Sequence, residues 1–162
     1  MNTAVAFKSL QEILDQTVDY LCSQDRSALL PNGSCAYRTP DGNCCAVGFW
    51  IPPELYRPLW DRLRHGAVPP ADFWLHHQTE GAPFAAALAA GGIDVKAPHV
   101  IDLLMLLQRA HDSSSTLFFH DKDGRPRTFR TRTLFFDAFI PHRLELQPIP
   151  GVCYTPRGPS GR

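Results

Sequence analysis

Five cysteines and seven histidines are the residues of this chain best suited to chemistry. A cysteine becomes a nucleophile when a base removes its proton and a third group orients that base. Cys45 precedes Ala46-Val47-Gly48, a segment that reads as entering a helix, where the positive helix end would favour a thiolate. His111 supplies the candidate base, and Asp112 completes the trio. Neighbours on one helix do not face each other, so Asp112 is a poor orienter for His111 itself. This trio would make a cysteine-dependent hydrolase or transferase of small amides. Zinc offers a second chemistry, a small stabilised module held by Cys35, Cys45 and His111. Structural zinc sites usually carry two short-spaced cysteine pairs, and no C-x-x-C occurs here. In an extended segment the adjacent Cys44 and Cys45 would point to opposite faces. The sequence therefore implies no metal and no cofactor, and the cysteines read as small apolar core residues.

A third possibility is binding without chemistry. Arg125, Arg127, Arg130 and Arg132 alternate with Pro126, Thr128, Thr131 and Thr133, just after Phe118 and Phe119. In a strand these arginines would not all share one face. Arginines and aromatics nonetheless dominate protein interfaces where they centre on a buried patch. Trp74, His76 and His77 form a second candidate patch. No Gly-rich phosphate loop, H-E-x-x-H or G-x-S-x-G is present, which removes the main signatures of NTPases, zinc proteases and serine hydrolases. Sixteen basic side chains balance sixteen acidic ones. That argues against a non-specific nucleic-acid coat and against a polybasic membrane binder. The longest apolar stretch, near Val100, is interrupted by Asp102 and is too short to span a bilayer. An odd cysteine count and the lack of a signal-peptide pattern in the first residues imply a reducing, cytoplasmic setting.

The elements that must position these residues can be read from period and punctuation. Ser9-Leu10-Gln11-Glu12 fits a capping box. An apolar stripe of Leu10, Ile13, Leu14, Thr17, Val18 and Leu21 then predicts a helix over 10–23. Cys35 to Arg38 and the segment from Cys44 flank a Thr39-Pro40-Asp41-Gly42-Asn43 turn, which predicts a small β-hairpin. A helix over 53–64 is expected from Pro53 at its first position, with Pro58 kinking it or delaying its start. Residues 66–81 read as a loop, and 84–90 as a helix stopped by Gly91-Gly92. The strongest helix covers 99–111 and is apolar nearly all round, as a central buried helix would be. Ser113-Ser114-Ser115 should end it, and a second hairpin is expected about Asp121 to Pro126. The class expected is α+β: a mainly helical single domain over 1–146, with one or two hairpins and a Pro/Gly/Arg-rich tail over 147–162.

Cys35-Ala36-Tyr37-Arg38, Asp41-Gly42, Cys45-Ala46-Val47-Gly48 and Ile51-Pro52, followed by Leu107-Gln108-Arg109-Ala110-His111-Asp112, recur as a set. In order and approximate separation, from about residue 10 to residue 112, they resemble a loose group of short tailed-phage and prophage proteins. Those share a C-x-Y-R … C-A-V-G-x-x-I-P block and a later L-Q-x-x-H-D block. The resemblance implies origin more than activity. It nominates Cys35, Tyr37, Arg38, Cys45, Gly48, Gln108, His111 and Asp112 as one constellation, in which Gly48 would serve a close backbone approach. Cys44, where a polar residue is more usual, and the Phe- and Arg-rich segment after Ser115 depart from the group. The reading that follows is an accessory protein in the cytoplasm of an infected bacterium. It would act by binding a host or phage protein, with a small molecule as the alternative ligand.

Overall fold

The computed structural model describes residues 5–24 and 28–117, with the backbone alone given for Cys22, Ala110 and 112–117. Four α-helices carry it: α1 (Leu10–Ser23), α2 (Ala71–Leu75), α3 (Gly81–Ala90) and α4 (Val100–Leu117). Helix α4 packs on α1 and on α2, and α2 packs on α3.

Helix α1 begins as its capping box dictates. Ser9 Oγ accepts the Glu12 N–H at 3.1 Å, and the Ser9 N–H donates to Glu12 Oε2 at 2.7 Å. Those two bonds, more than nearby Lys8, hold the Glu12 carboxyl below its ordinary range. The predicted stripe faces the core: Ile13, Leu14, Thr17, Val18 and Leu21 are buried. Thr17 is the polar member, and its Oγ1 accepts the buried Trp50 indole N–H at 2.8 Å. The stripe thus contains its own anchor for the segment that crosses it.

The α+β expectation fails. Among the described residues no strand forms a ladder, and only isolated bridges occur, including Leu29↔Cys35 and Arg38↔Cys44. The predicted turn is present, with Gly42 at φ 89° and the Gly42 N–H donating to Thr39 O at 2.9 Å. What prevents a sheet is the fate of the outward-facing backbone groups. Asp61 takes the N–H groups of Tyr37 and Arg38, at 2.7 and 3.1 Å. Gln24 takes both polar groups of Cys44, accepting its N–H at 3.0 Å and donating to its carbonyl at 2.9 Å. Side chains occupy the positions of the next strands, so these backbone groups are satisfied without a ladder.

Two further differences have local causes. The helix expected over 53–64 is two 3₁₀ turns, Pro53–Leu55 and Pro58–Asp61. Pro58 has no N–H and would clash with the carbonyl of Glu54 in a continuous helix, so each proline starts its own turn. Helix α4 continues through the three serines to Leu117. Serine costs only about 0.5 kcal/mol per position relative to alanine, and neither Gly nor Pro stands there to stop the chain. Nor is α4 buried all round. Val100, Leu103, Leu104, Leu107, Gln108 and His111 form one buried face, while Ile101, Met105 and Leu106 are only half-buried. The second hairpin, Phe118, Phe119, the four arginines and the 147–162 tail lie outside the described residues.

Gly48 behaves as the motif block implied. A Cβ there would lie 1.9 Å from the Tyr37 carbonyl oxygen, so only glycine permits this approach.

Candidate functional site

Cys45 sits on the turn between Tyr37 and the 3₁₀ helix Gly48–Trp50. Its N–H donates to Tyr37 O at 3.3 Å, and its Sγ accepts the Gly48 N–H at 3.3 Å. A sulfur held on a backbone N–H at the start of a helical turn is the arrangement that stabilises a thiolate. Access is the obstacle. Cys45 is 1 % exposed within the main apolar cluster, and His111 is 0 % exposed on the inner face of α4. No substrate reaches either group without opening the core. The side chain of Asp112 is outside the described residues.

The remaining described cysteines differ in setting. Cys35 is half-buried beside Leu29, whereas Cys44 is buried. Among the described residues no three His, Cys, Asp or Glu side chains are placed to hold a metal ion, so Cys35, Cys45 and His111 are not gathered into such a group.

Around Cys44 the structure assembles polar residues that the sequence did not single out. Tyr20 Oη donates to Gln24 Oε1 at 3.0 Å and accepts the Cys44 N–H at 3.0 Å. On the other side Asp61 accepts the Tyr56 hydroxyl at 2.5 Å in addition to its two backbone donors. Arg38 bridges these centres. Its Nη2 donates to Ile51 O at 3.0 Å and its guanidinium lies 5.9 Å from the centre of the Tyr56 ring. The buried Arg38 Nε has no hydrogen-bond partner. Burial pushes the Cys44 thiol and the Tyr20 and Tyr56 hydroxyls above their ordinary values. It also pushes up the Asp61 carboxyl, against the opposing pull of its three hydrogen bonds and of Arg38. Each of these groups therefore holds its proton more tightly than usual. A thiol raised in this way is a poor nucleophile at neutral pH.

The second candidate patch divides. Trp74 is 3 % exposed and belongs to the core, although its indole N–H has no partner. His76 and His77 line a hollow of about 660 Å³ together with Arg64, Asp72, Phe73 and Thr79. The two imidazoles have opposite roles. His76 Nδ1 lies 2.7 Å from the Asp72 carbonyl, which can only accept, so that nitrogen carries a proton. His77 Nδ1 accepts the Thr79 and Glu80 N–H groups, at 3.3 and 3.1 Å, and so must be bare. His77 thus caps the start of α3, and only its Nε2 faces outward chemistry. Arg64 completes the rim, its guanidinium 5.0 Å from the centre of the Phe73 ring.

Sequence reasoning missed Gln24, Asp61 and Glu80. Glu80 is buried, accepts Arg57 at 2.8 and 3.0 Å and accepts the Trp60 indole N–H at 3.0 Å. The local pattern does not mark these positions, because each also binds a group 20 or more residues away: Gln24 the Cys44 backbone, Asp61 the Tyr37 N–H and Glu80 the Trp60 indole. Gln108 was in the recurring constellation, and its role is structural. Its Oε1 accepts the Ala71 N–H at 3.0 Å, capping α2 where Pro70 offers no side-chain acceptor.

No protein-family model, curated protein or solved structure matches the chain. Among the described residues no helix is long and apolar enough to cross a membrane.

Proposed function

We propose that this chain is a phage or prophage accessory protein that acts by binding, in the cytoplasm of the infected bacterium, to a host or phage protein whose activity it modulates. The observation that carries the binding reading is the enclosure of the candidate nucleophile–base pair, with Cys45 1 % and His111 0 % exposed. Open concavity lies elsewhere, at the hollow of Arg64, Phe73, His76 and His77. The contact residues would be Phe118, Phe119, Arg125, Arg127, Arg130 and Arg132, with that hollow as a second patch. The motif blocks shared with the phage group supply the assignment of origin.

Thiol labelling of the native protein from about pH 5 to about pH 9, with peptide mapping and metal analysis on one sample, separates binding from chemistry. Slow labelling of Cys44 and Cys45 at every pH, with no bound metal, is expected. A fast Cys45 below neutrality would overturn the reading in favour of a thiol enzyme, and stoichiometric zinc would favour a metal module. For the contact surface, Arg127→Ala with Arg130→Ala should abolish recovery of the partner without changing the melting temperature. Undiminished recovery removes that segment from the interface.

A further inference from the structure

A second concavity lies on another part of the molecule from the His76–His77 hollow. It is a groove of about 430 Å³ lined by Lys8, Gln16, Tyr20, Arg38, Cys44 and Phe49, among others, and reaching Trp50 to Pro53 and Gly91. Its walls come from five parts of the chain: the segment entering α1, α1 itself, the Thr39–Asn43 turn, the 3₁₀ helix Gly48–Trp50 and the end of α3. The last of these is held in place by a forced approach. A Cβ on Gly91 would lie 1.7 Å from the Trp50 carbonyl oxygen, so α3 meets the 3₁₀ helix backbone to backbone. The groove is therefore built by tertiary contacts.

Three features of its lining point the same way. First, the charge is one-sided: among the described residues Lys8 and Arg38 line it, and no Asp or Glu does. Second, both cations keep unspent donors. Among the described residues Lys8 makes no ion pair, and its backbone N–H binds Gly92 O at 2.8 Å while its side chain lies over Gly92. The Arg38 side chain donates only through Nη2, to Ile51 O, and no carboxylate of the described residues lies within ion-pair distance of its guanidinium. Its Nη1 keeps both hydrogens for another acceptor. Third, one wall is aromatic. Tyr20 and Phe49 are stacked with centroids 4.3 Å apart and planes 11° apart, and Trp50 meets the edge of Phe49 at 4.9 Å. A pocket of a few hundred cubic ångströms with an apolar wall and a few convergent polar groups has the size and make-up of a small-molecule site. Arginine and lysine with free donors select an anionic head.

We propose that this groove is a binding site for a small organic anion, a phosphate monoester or carboxylate attached to a flat apolar body. The head lies between Lys8 and Arg38 Nη1, and the body packs along Phe49 and Pro52. Cys44 takes no part as a nucleophile, because burial keeps its thiol protonated. Its contribution is a small apolar floor, fixed in place by Gln24. Phosphate and carboxylate heads share the recognition chemistry, and the flat body separates such ligands from bare inorganic anions.

The test uses the full chain and two-dimensional amide NMR at about 0.15 M ionic strength, titrated with phenyl phosphate, inorganic phosphate, benzoate and phenol. Phenyl phosphate or benzoate should produce saturable shifts centred on Gly42, Phe49 and Gly91. Inorganic phosphate and phenol should each bind at least about tenfold more weakly, since each lacks one half of the recognition. Lys8→Glu should weaken the organic anion by about tenfold or more. Lys96→Glu, an exposed change of equal charge at a lysine that does not line the groove, should alter it less than about twofold, because salt screens exposed charges that do not touch the ligand. Neither lysine is itself buried, and equal melting temperatures would verify that the fold is intact. Shifts scattered away from the groove, equal effects of the two lysine variants, or phenol binding as well as phenyl phosphate would each overturn the proposal. Equal binding of inorganic phosphate would overturn the role given to the aromatic wall.

Discussion

The Tyr20–Gln24–Cys44 triangle allows a double-mutant cycle whose sign follows from counting donors and acceptors. In Tyr20→Phe the Cys44 N–H loses one acceptor but keeps Gln24 Oε1 at 3.0 Å. Gln24 in turn keeps both of its bonds to Cys44. No buried group is stranded, so the cost should be that of an ordinary hydrogen bond, about 0.5–1.5 kcal/mol. Gln24→Met preserves most of the volume but strands the Cys44 carbonyl, while the Cys44 N–H keeps Tyr20 Oη at 3.0 Å. One stranded buried group costs about 1–3 kcal/mol. In the double variant the Cys44 N–H has neither acceptor, and a second buried group is stranded. The double variant should therefore be less stable than the sum of the singles by about 1–2 kcal/mol. Urea unfolding with unchanged m-values measures each corner, and a domain of this size has about 5–15 kcal/mol to lose. Additivity within about 0.5 kcal/mol would refute the claim that these side chains stand in for a neighbouring strand.

Three other outcomes follow from single sites. Gly48→Ala, which would bring a Cβ to 1.9 Å from Tyr37 O, should cost at least about 3 kcal/mol or abolish folding, judged by loss of the cooperative transition on heating. Glu80→Ala should cost about 2–4 kcal/mol by stranding the buried Trp60 N–H, and Glu80→Gln clearly less, because an acceptor survives while the exposed Arg57 side chain adds little. At alkaline pH the unfolded chain releases the Cys44, Tyr20 and Tyr56 protons before the folded chain does, since all three are raised in the fold. Stability should thus be full below the ordinary thiol value of about 8.5 and fall as pH rises beyond it. Cys44→Ala should remove the earliest part of that decline, and an unchanged slope would show that the thiol is not raised.

Much of the helical frame was legible without coordinates, for a stated reason in each case. Helix α1 carries a capping box at one end and one apolar face throughout, both of which are local signals. The Thr39–Asn43 turn was legible from Pro40 and Gly42 because those residues set their own dihedral angles. The broken helix after Pro53 was half legible. Pro58 signalled a kink or a late start, and the structure turns it into two separate 3₁₀ turns. The hairpin expected at Cys35–Phe49 was misread because strand propensity says nothing about who takes the outward backbone groups. In this fold Asp61 and Gln24 take them, and each comes from a distant part of the chain.

The candidate site divides along the same line. Residue types alone determined which side chains could do chemistry and that no metal motif of ordinary spacing is present, while a close approach at Gly48 was implied by the motif resemblance. Only the tertiary structure decided that Cys45 and His111 are enclosed, that Trp74 is core while His76 is exposed, and that Lys8 and Arg38 share a groove with no acid among its described lining residues. Burial and convergence are properties of several segments at once. A local sequence window carries the propensities and charges of its own residues, but not the identity of the groups that will shield, pair with or face them.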